Sequence, residues 1–131
     1  AKNLTLSWTP PNEPVTLSGD GRLLTRLLYN LVHNAYRYSD SGGQITMELT
    51  QSSGQVKFIL RNTGMGISEE DLPFVFERFY RADKSRTRET GGTGIGLALV
   101  RQIVTLHHGK ISVRSSVGQE TEFQVELPKE I

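Results

Sequence analysis

Asn30, Asn34 and Arg37 follow one another at i, i+4 and i+7, the spacing that puts three side chains on one face of a helix. Asparagine is a poor helix-interior residue because its carboxamide competes for backbone hydrogen bonds, so its double use here asks for a reason. One reason is chemical. Mg²⁺ prefers oxygen ligands and completes its octahedron with water and phosphate oxygens, and the amide oxygen of Asn34 could supply one ligand. Arg37 would reach the same phosphates, and Tyr38 could lie against a purine. An ordinary solvated helix face is the alternative reading of this segment taken alone.

Two glycine-bearing segments widen the possibility. Asn62-Thr63-Gly64-Met65-Gly66-Ile67 follows a strand pattern. Its glycines allow positive φ and let a ligand approach without a β-carbon in the way, and Asn62 offers donor and acceptor atoms to an adenine edge. Gly91-Gly92-Thr93-Gly94-Ile95-Gly96 runs into a helical pattern. Backbone N–H groups at a helix start, unobstructed by side chains, suit phosphate. The segment lacks the Lys-Ser/Thr ending of a P-loop and follows a polar loop instead of a strand, so neither P-loop nor Rossmann geometry fits. A turn and a flexible linker are the plain alternatives. Between the two lie Arg78, Arg81, Lys84, Arg86 and Arg88, interleaved with Phe76, Phe79 and Tyr80. That is the composition of a basic lid over a triphosphate, with Arg78 and Arg81 beside aromatic anchors the better candidates.

These residues need a scaffold. Leu4, Leu6 and Trp8 alternate with polar residues, which predicts a strand with one buried face, and a second short strand is expected around Val15 to Leu17. From Asp20, Leu24, Leu27, Leu28, Leu31, Ala35 and Tyr38 recur at spacings of three and four, the stripe of an amphipathic helix ending near Tyr38. Ile45, Met47 and Leu49, then Val56, Phe58 and Leu60, predict an antiparallel hairpin. Ser68 and Asp71 suggest the start of a short helix, and Gly94 to His107 a longer one closed by His108-Gly109. Ile111 and Val113 with Phe123, Val125 and Leu127 give a final strand pair joined through Gly118. Strands and helices in this order indicate an α+β fold.

The bulk properties set limits. The 131 residues suit one domain, 1–131, with a single core. Fifteen Lys+Arg against fourteen Asp+Glu leave a formal charge of +1, so no whole-surface field draws nucleic acid or an acidic membrane, and any anion site must be local. With no cysteine there are no disulfides or thiolate metal sites. No apolar run is long enough to span a bilayer, and the abrupt start suggests an excised domain.

Each piece is weak alone, but their order and spacing resemble the GHKL (Bergerat-type) superfamily of ATP-binding domains, and specifically the sensor histidine kinases. "NLVHNAYRY" looks like the N box, "NTGMGI" like the first glycine box, "FERFYR" like the F box, "GGTGIGLALV" like the second glycine box and "GQETEF" like the last box. With "SGD" and "ELP" the resemblance covers roughly residues 15 to 128. It implies a two-layer α/β sandwich, with a mixed, mostly antiparallel sheet covered by about three helices and a flexible ATP lid at about 81–93.

The resemblance further implies Mg²⁺ ligation by Asn34, phosphate contacts from Asn30 and Arg37, and Tyr38 beside the adenine. Asn62, with Gly64, Gly66 and Ile67 after it, would recognise the base, and Thr121 would help close that pocket. Gly92, Thr93, Gly94, Ile95, Gly96 and Leu97 would hold the phosphates, with Tyr80 and Arg81 reaching in from the lid. ATP and Mg²⁺ are the implied cofactors. The implied partners are a histidine-bearing dimerisation domain of the same kinase and a cognate response regulator. The implied setting is a cytoplasmic domain of a parent anchored in the bacterial inner membrane, with no membrane or nucleic-acid contact of its own.

The sequence departs from the family pattern where Asn62 replaces the usual aspartate and Glu120 a usual glycine. Superfamily members that hydrolyse ATP carry a glutamate base where this chain has Asn30, and an amide cannot take a proton from water, which favours transfer to histidine. His33, His107 and His108 sit in no acceptor-like motif and are read as structural. A GHKL ATPase, an anti-sigma-type serine kinase and a degenerate, non-catalytic nucleotide-binding module are the alternatives.

Overall fold

The computed structural model describes residues 3–52, 54–77, 96–115, 118 and 120–130. Five strands form one sheet in the order β1-β2-β3-β5-β4: β1 (Thr5–Thr9), β2 (Gln44–Ser52), β3 (Gln55–Asn62), β4 (Lys110–Arg114) and β5 (Thr121–Pro128). The β1–β2 pair is parallel and the other three are antiparallel, so the sheet is mixed and mostly antiparallel. Among the described residues two α-helices, α1 (Gly21–Tyr38) and α2 (Gly96–Leu106), and one 3-10 turn (Leu72–Phe74) complete the fold.

Helix α1 starts where the sequence supplies a cap, with the Asp20 carboxylate accepting from the backbone N–H of Arg22 and Leu23. Its buried stripe, Leu27, Leu31 and Ala35, meets Val100, Ile103 and Val104 of α2. Beneath them lie Ile45, Leu60, Phe123, Val125 and Leu127 from one face of the sheet. Register explains the selection: Leu60 stands opposite Phe123, Phe58 opposite Val125 and Val56 opposite Leu127, so alternate residues of neighbouring strands share the helix-covered face.

Three expectations needed correction. The strand at Leu4 to Trp8 forms, but its buried face does not: Leu6 is 59% exposed and Trp8 51%. β1 is an edge strand, and the helices make their main sheet contacts with β3 and β4, away from it. Val15 to Leu17 form no strand. Leu17 packs on the core and Ser18 N–H donates to Lys129 O at 2.7 Å, anchoring the segment without a ladder. Ser68 and Asp71 do cap each other, through Ser68 Oγ to Asp71 Oδ2 at 2.9 Å and Asp71 N to Ser68 Oγ at 3.3 Å. The segment they open, however, is one 3-10 turn containing Pro73 instead of an α-helix.

Candidate nucleotide site

The elements converge at the end of the sheet where β3 finishes and β5 begins. Asn62 closes β3, 4% exposed, and stands directly opposite Thr121, 5% exposed, on the core-facing side of the ladder. Asn62 spends an Nδ2 hydrogen on the carbonyl of Thr63 at 3.3 Å. The loop after it is fastened on both sides. Ser39, just past α1, forms a β-bridge with Gly64. A β-carbon on Gly64 would collide with the carbonyl of Tyr38, so only glycine allows the helix end to come this close. On the other side Gly118 N–H donates to Met65 O at 2.9 Å, and Ile67 N–H donates to Ser115 Oγ at 2.8 Å. Ser115 Oγ in turn shares a hydrogen bond with Thr121 Oγ1 at 2.7 Å.

Helix α1 contributes the amides. Asn30, Asn34, Arg37 and Tyr38 are all half-buried, and the spacing of the first three puts them on one face of the helix. Asn30 donates Nδ2 to Arg26 O at 2.8 Å within its own helix, while Oδ1 faces the start of α2: a β-carbon at Gly96 would touch it at 3.4 Å. Arg37 Nη2 lies 3.2 Å from His33 Nδ1, and the His33 ring stacks on Tyr29 with centroids 5.5 Å apart. Leu97, the next residue of α2, packs against the core. The structure thus brings Asn30 to Gly96, and Tyr38 through Gly64 to the loop that follows Asn62. Tyr80, Arg81, Gly92, Thr93, Gly94 and Ile95, with the expected lid at 81–93, lie outside the described residues.

Ser115 is the contributor that sequence reasoning missed. A serine just beyond a strand carries no periodic or spacing signal, and only the folded chain shows that it ties the first glycine loop to Thr121.

The donor set bears on a metal. Among the described residues no group of three His, Asp, Glu or Cys could hold an ion. The available ligands are neutral amide oxygens, of which that of Asn34 belongs to a half-buried residue one turn beyond Asn30 on α1. That set suits a hard cation that arrives with polyphosphate and keeps several waters, as Mg²⁺ does.

Residues 19–131 match the family model described as "Histidine kinase-, DNA gyrase B-, and HSP90-like ATPase". The chain belongs to this family. Within it, sensor histidine kinases are what the chain resembles in sequence and in shape. It is 38% identical over 110 residues to the sensor histidine kinase RppB of Synechocystis, covering 84% of this chain and 24% of RppB. The mycobacterial sensor histidine kinase MprB superposes with a TM-score of 0.86 at 29% identity, over 98% of this chain and 85% of that one. Full-length ShkA in complex with AMPPNP gives a TM-score of 0.78 at 26% identity, over 95% of this chain and 25% of that one. The α+β fold is that of histidine kinase catalytic domains, and the chain spans about a quarter of the length of RppB. Members of the ATPase family bind ATP, and the match takes in all the described site residues.

Proposed function

We propose that this domain binds Mg²⁺-ATP between α1, the Asn62–Thr121 rung and the start of α2. From there it presents the γ-phosphate to a histidine on a separate dimerisation domain, for relay to a response regulator. The convergence of the two glycine segments on one helix, Gly64 against Tyr38 and Gly96 against Asn30, is the observation that carries the reading. In the transfer the imidazole nitrogen forms a bond to the γ-phosphorus, the bond to the bridging oxygen breaks, and ADP leaves; the imidazole proton passes to a base on the acceptor domain. We place the parent at the bacterial inner membrane with this domain on the cytoplasmic side. Among the described residues no helix is long and apolar enough to cross a membrane.

Each residue has a part. Asn34 supplies an amide oxygen to Mg²⁺, which neutralises phosphate charge when bound, and Asn30 and Arg37 hold phosphate oxygens. With Nδ2 engaged on Thr63, the Oδ1 of Asn62 accepts from the adenine amino group, Tyr38 lies beside the ring, and Thr121 closes the pocket. Gly64, Gly66 and Ile67 give the base its close approach. Gly92, Thr93, Gly94, Ile95, Gly96 and Leu97 form the phosphate-binding helix start, and Tyr80 and Arg81 serve as lid contacts. Asn30 supports transfer over hydrolysis, since its carboxamide has no basic site to take a proton from water.

Calorimetry with Mg²⁺-ATP tests the reading. The native chain should bind and Asn34→Ala should lose at least about tenfold in affinity while its circular dichroism is unchanged, because a lost charged-group contact is worth at least ~1.4 kcal/mol. Equal affinity in the two proteins would remove Asn34 from the site, and no binding at millimolar nucleotide would favour the degenerate module.

A further inference from the structure

His107 is buried, 3% exposed, and no step of the proposed transfer uses it. It follows the last residue of α2 in a turn that fixes its backbone: His108 takes φ 60°, its N–H donates to Thr105 O at 3.0 Å, and Gly109 N–H donates to Val104 O at 2.9 Å. The imidazole bonds at both nitrogens. Nδ1 lies 2.9 Å from Ile103 O, and a carbonyl can only accept, so Nδ1 carries the proton. Nε2 is therefore the acceptor, and the backbone N–H of Asp20 donates to it at 3.0 Å. Asp20 is the residue whose carboxylate caps α1. Gly19 leaves room for the ring: a β-carbon there would stand 2.9 Å from His107 Cδ2.

We propose that His107 is a positioning residue that sets the register of α1 against α2 and thereby the spacing of the N-box amides from the glycine-box helix. The two helices run antiparallel, with Asp20 beside His107 at one end and Asn30 beside Gly96 at the other. At 1.5 Å per residue, Asp20 to Asn30 spans about 15 Å and His107 to Gly96 about 16 Å, so the two paths match. A pin at the far end thus dictates what meets at the site. Apolar helix packing alone permits sliding and tilting between ridges, whereas a hydrogen bond that joins one helix's cap to the other's last turn admits one register.

The test compares His107→Phe, His107→Gln and Gly19→Ala in the whole chain. Gln keeps an acceptor within reach of Asp20; Phe fills the space without one; Gly19→Ala pushes the imidazole off its seat. Three readouts are taken: melting temperature, the NMR signals of the Gly96 amide and Asn30 carboxamide without nucleotide, and calorimetric affinity for Mg²⁺-AMPPNP. Both His107 variants should melt lower. Phe, and to a smaller extent Gly19→Ala, should move the Asn30 and Gly96 signals and weaken nucleotide binding, Phe by about tenfold, while Gln leaves the signals in place and stays within about threefold of native. Equal losses in Phe and Gln, or unmoved Asn30 and Gly96 signals in Phe, would show that His107 only packs. The affinity arm rests on the nucleotide-site reading. A native chain that binds no AMPPNP ends that reading, while the nucleotide-free signals still decide the pin. Where His107→Phe does not fold, the signals of Gly19→Ala decide it.

Discussion

Consecutive rungs of the β3–β5 ladder carry polar pairs of opposite kinds. Asn62 faces Thr121 on the helix-covered side, and one residue earlier Arg61 faces Glu122 on the other side. The second pair is complete in itself: Glu122 takes Arg61 Nε at 2.8 Å and Arg114 Nη2 at 2.7 Å. Burial on its own would raise the Glu122 pKa, and the hydrogen bonds from Arg114 and Arg61 outweigh it, so the carboxyl is held below its ordinary value of 4.5. The first pair is neutral, nearly inaccessible and only locally bonded, with Asn62 on Thr63 and Thr121 on Ser115. A neutral polar group needs only a hydrogen bond to be buried, whereas a buried carboxylate needs a cation, so the two rungs are satisfied by different means. Under the proposed function, two adjacent rungs therefore separate the pair assigned to the nucleotide from the pair that holds the sheet together.

Substitutions can break this contrast. Asn62→Leu should weaken Mg²⁺-ATP binding by about tenfold to a hundredfold through loss of the hydrogen bond to the base, with little change in unfolding free energy. Asn62→Asp should tighten it instead, since a charged acceptor makes the stronger bond. Glu122→Gln should do the reverse of Asn62→Leu: native affinity, and a loss of about 1–2 kcal/mol of stability at pH 7 measured by urea unfolding. The folded pKa of Glu122 is depressed, so its stabilisation is present above 4.5 and is lost as pH falls through the lower folded value. Native chain and Glu122→Gln should therefore converge in stability in acid, and a gap that persisted at low pH would mean the glutamine perturbs packing instead. Ser115→Ala should cost about threefold in nucleotide affinity by freeing Ile67 and Thr121 from each other. Gln124→Ala, on the same open face as Glu122, should change stability by no more than about 0.5 kcal/mol and affinity not at all.

Much of this was legible in the sequence because local patterns carried it. The stripe from Leu24 to Tyr38 predicts α1, Asp20 predicts its start, and the alternations at Ile45 and Val56 predict the hairpin that ends at Asn62. Pattern cannot say which strand lies at an edge, so Leu6 and Trp8 alternate as though half-buried yet stay exposed on β1. Nor does pattern reveal contacts between distant residues. The closing His108-Gly109 pair was visible, but not that His108 takes the left-handed conformation there, nor that His107 reaches back to Asp20. Of the site, the residue types at Asn30, Asn34 and Asn62 pointed to chemistry, while the fastening by Ser115 and the facing of Asn62 with Thr121 depend on register and loop contacts.

The sharpest test is to titrate the isotopically labelled chain with Mg²⁺-ATP and follow every amide by NMR. Perturbations gathered on the proposed contacts, Asn30, Asn34, Asn62, Gly64, Gly96 and Thr121 among them, with Arg61, Glu122 and Gln124 quiet, are the expected result. Shifts that gathered on the open face of the sheet, or none at millimolar nucleotide, would contradict it.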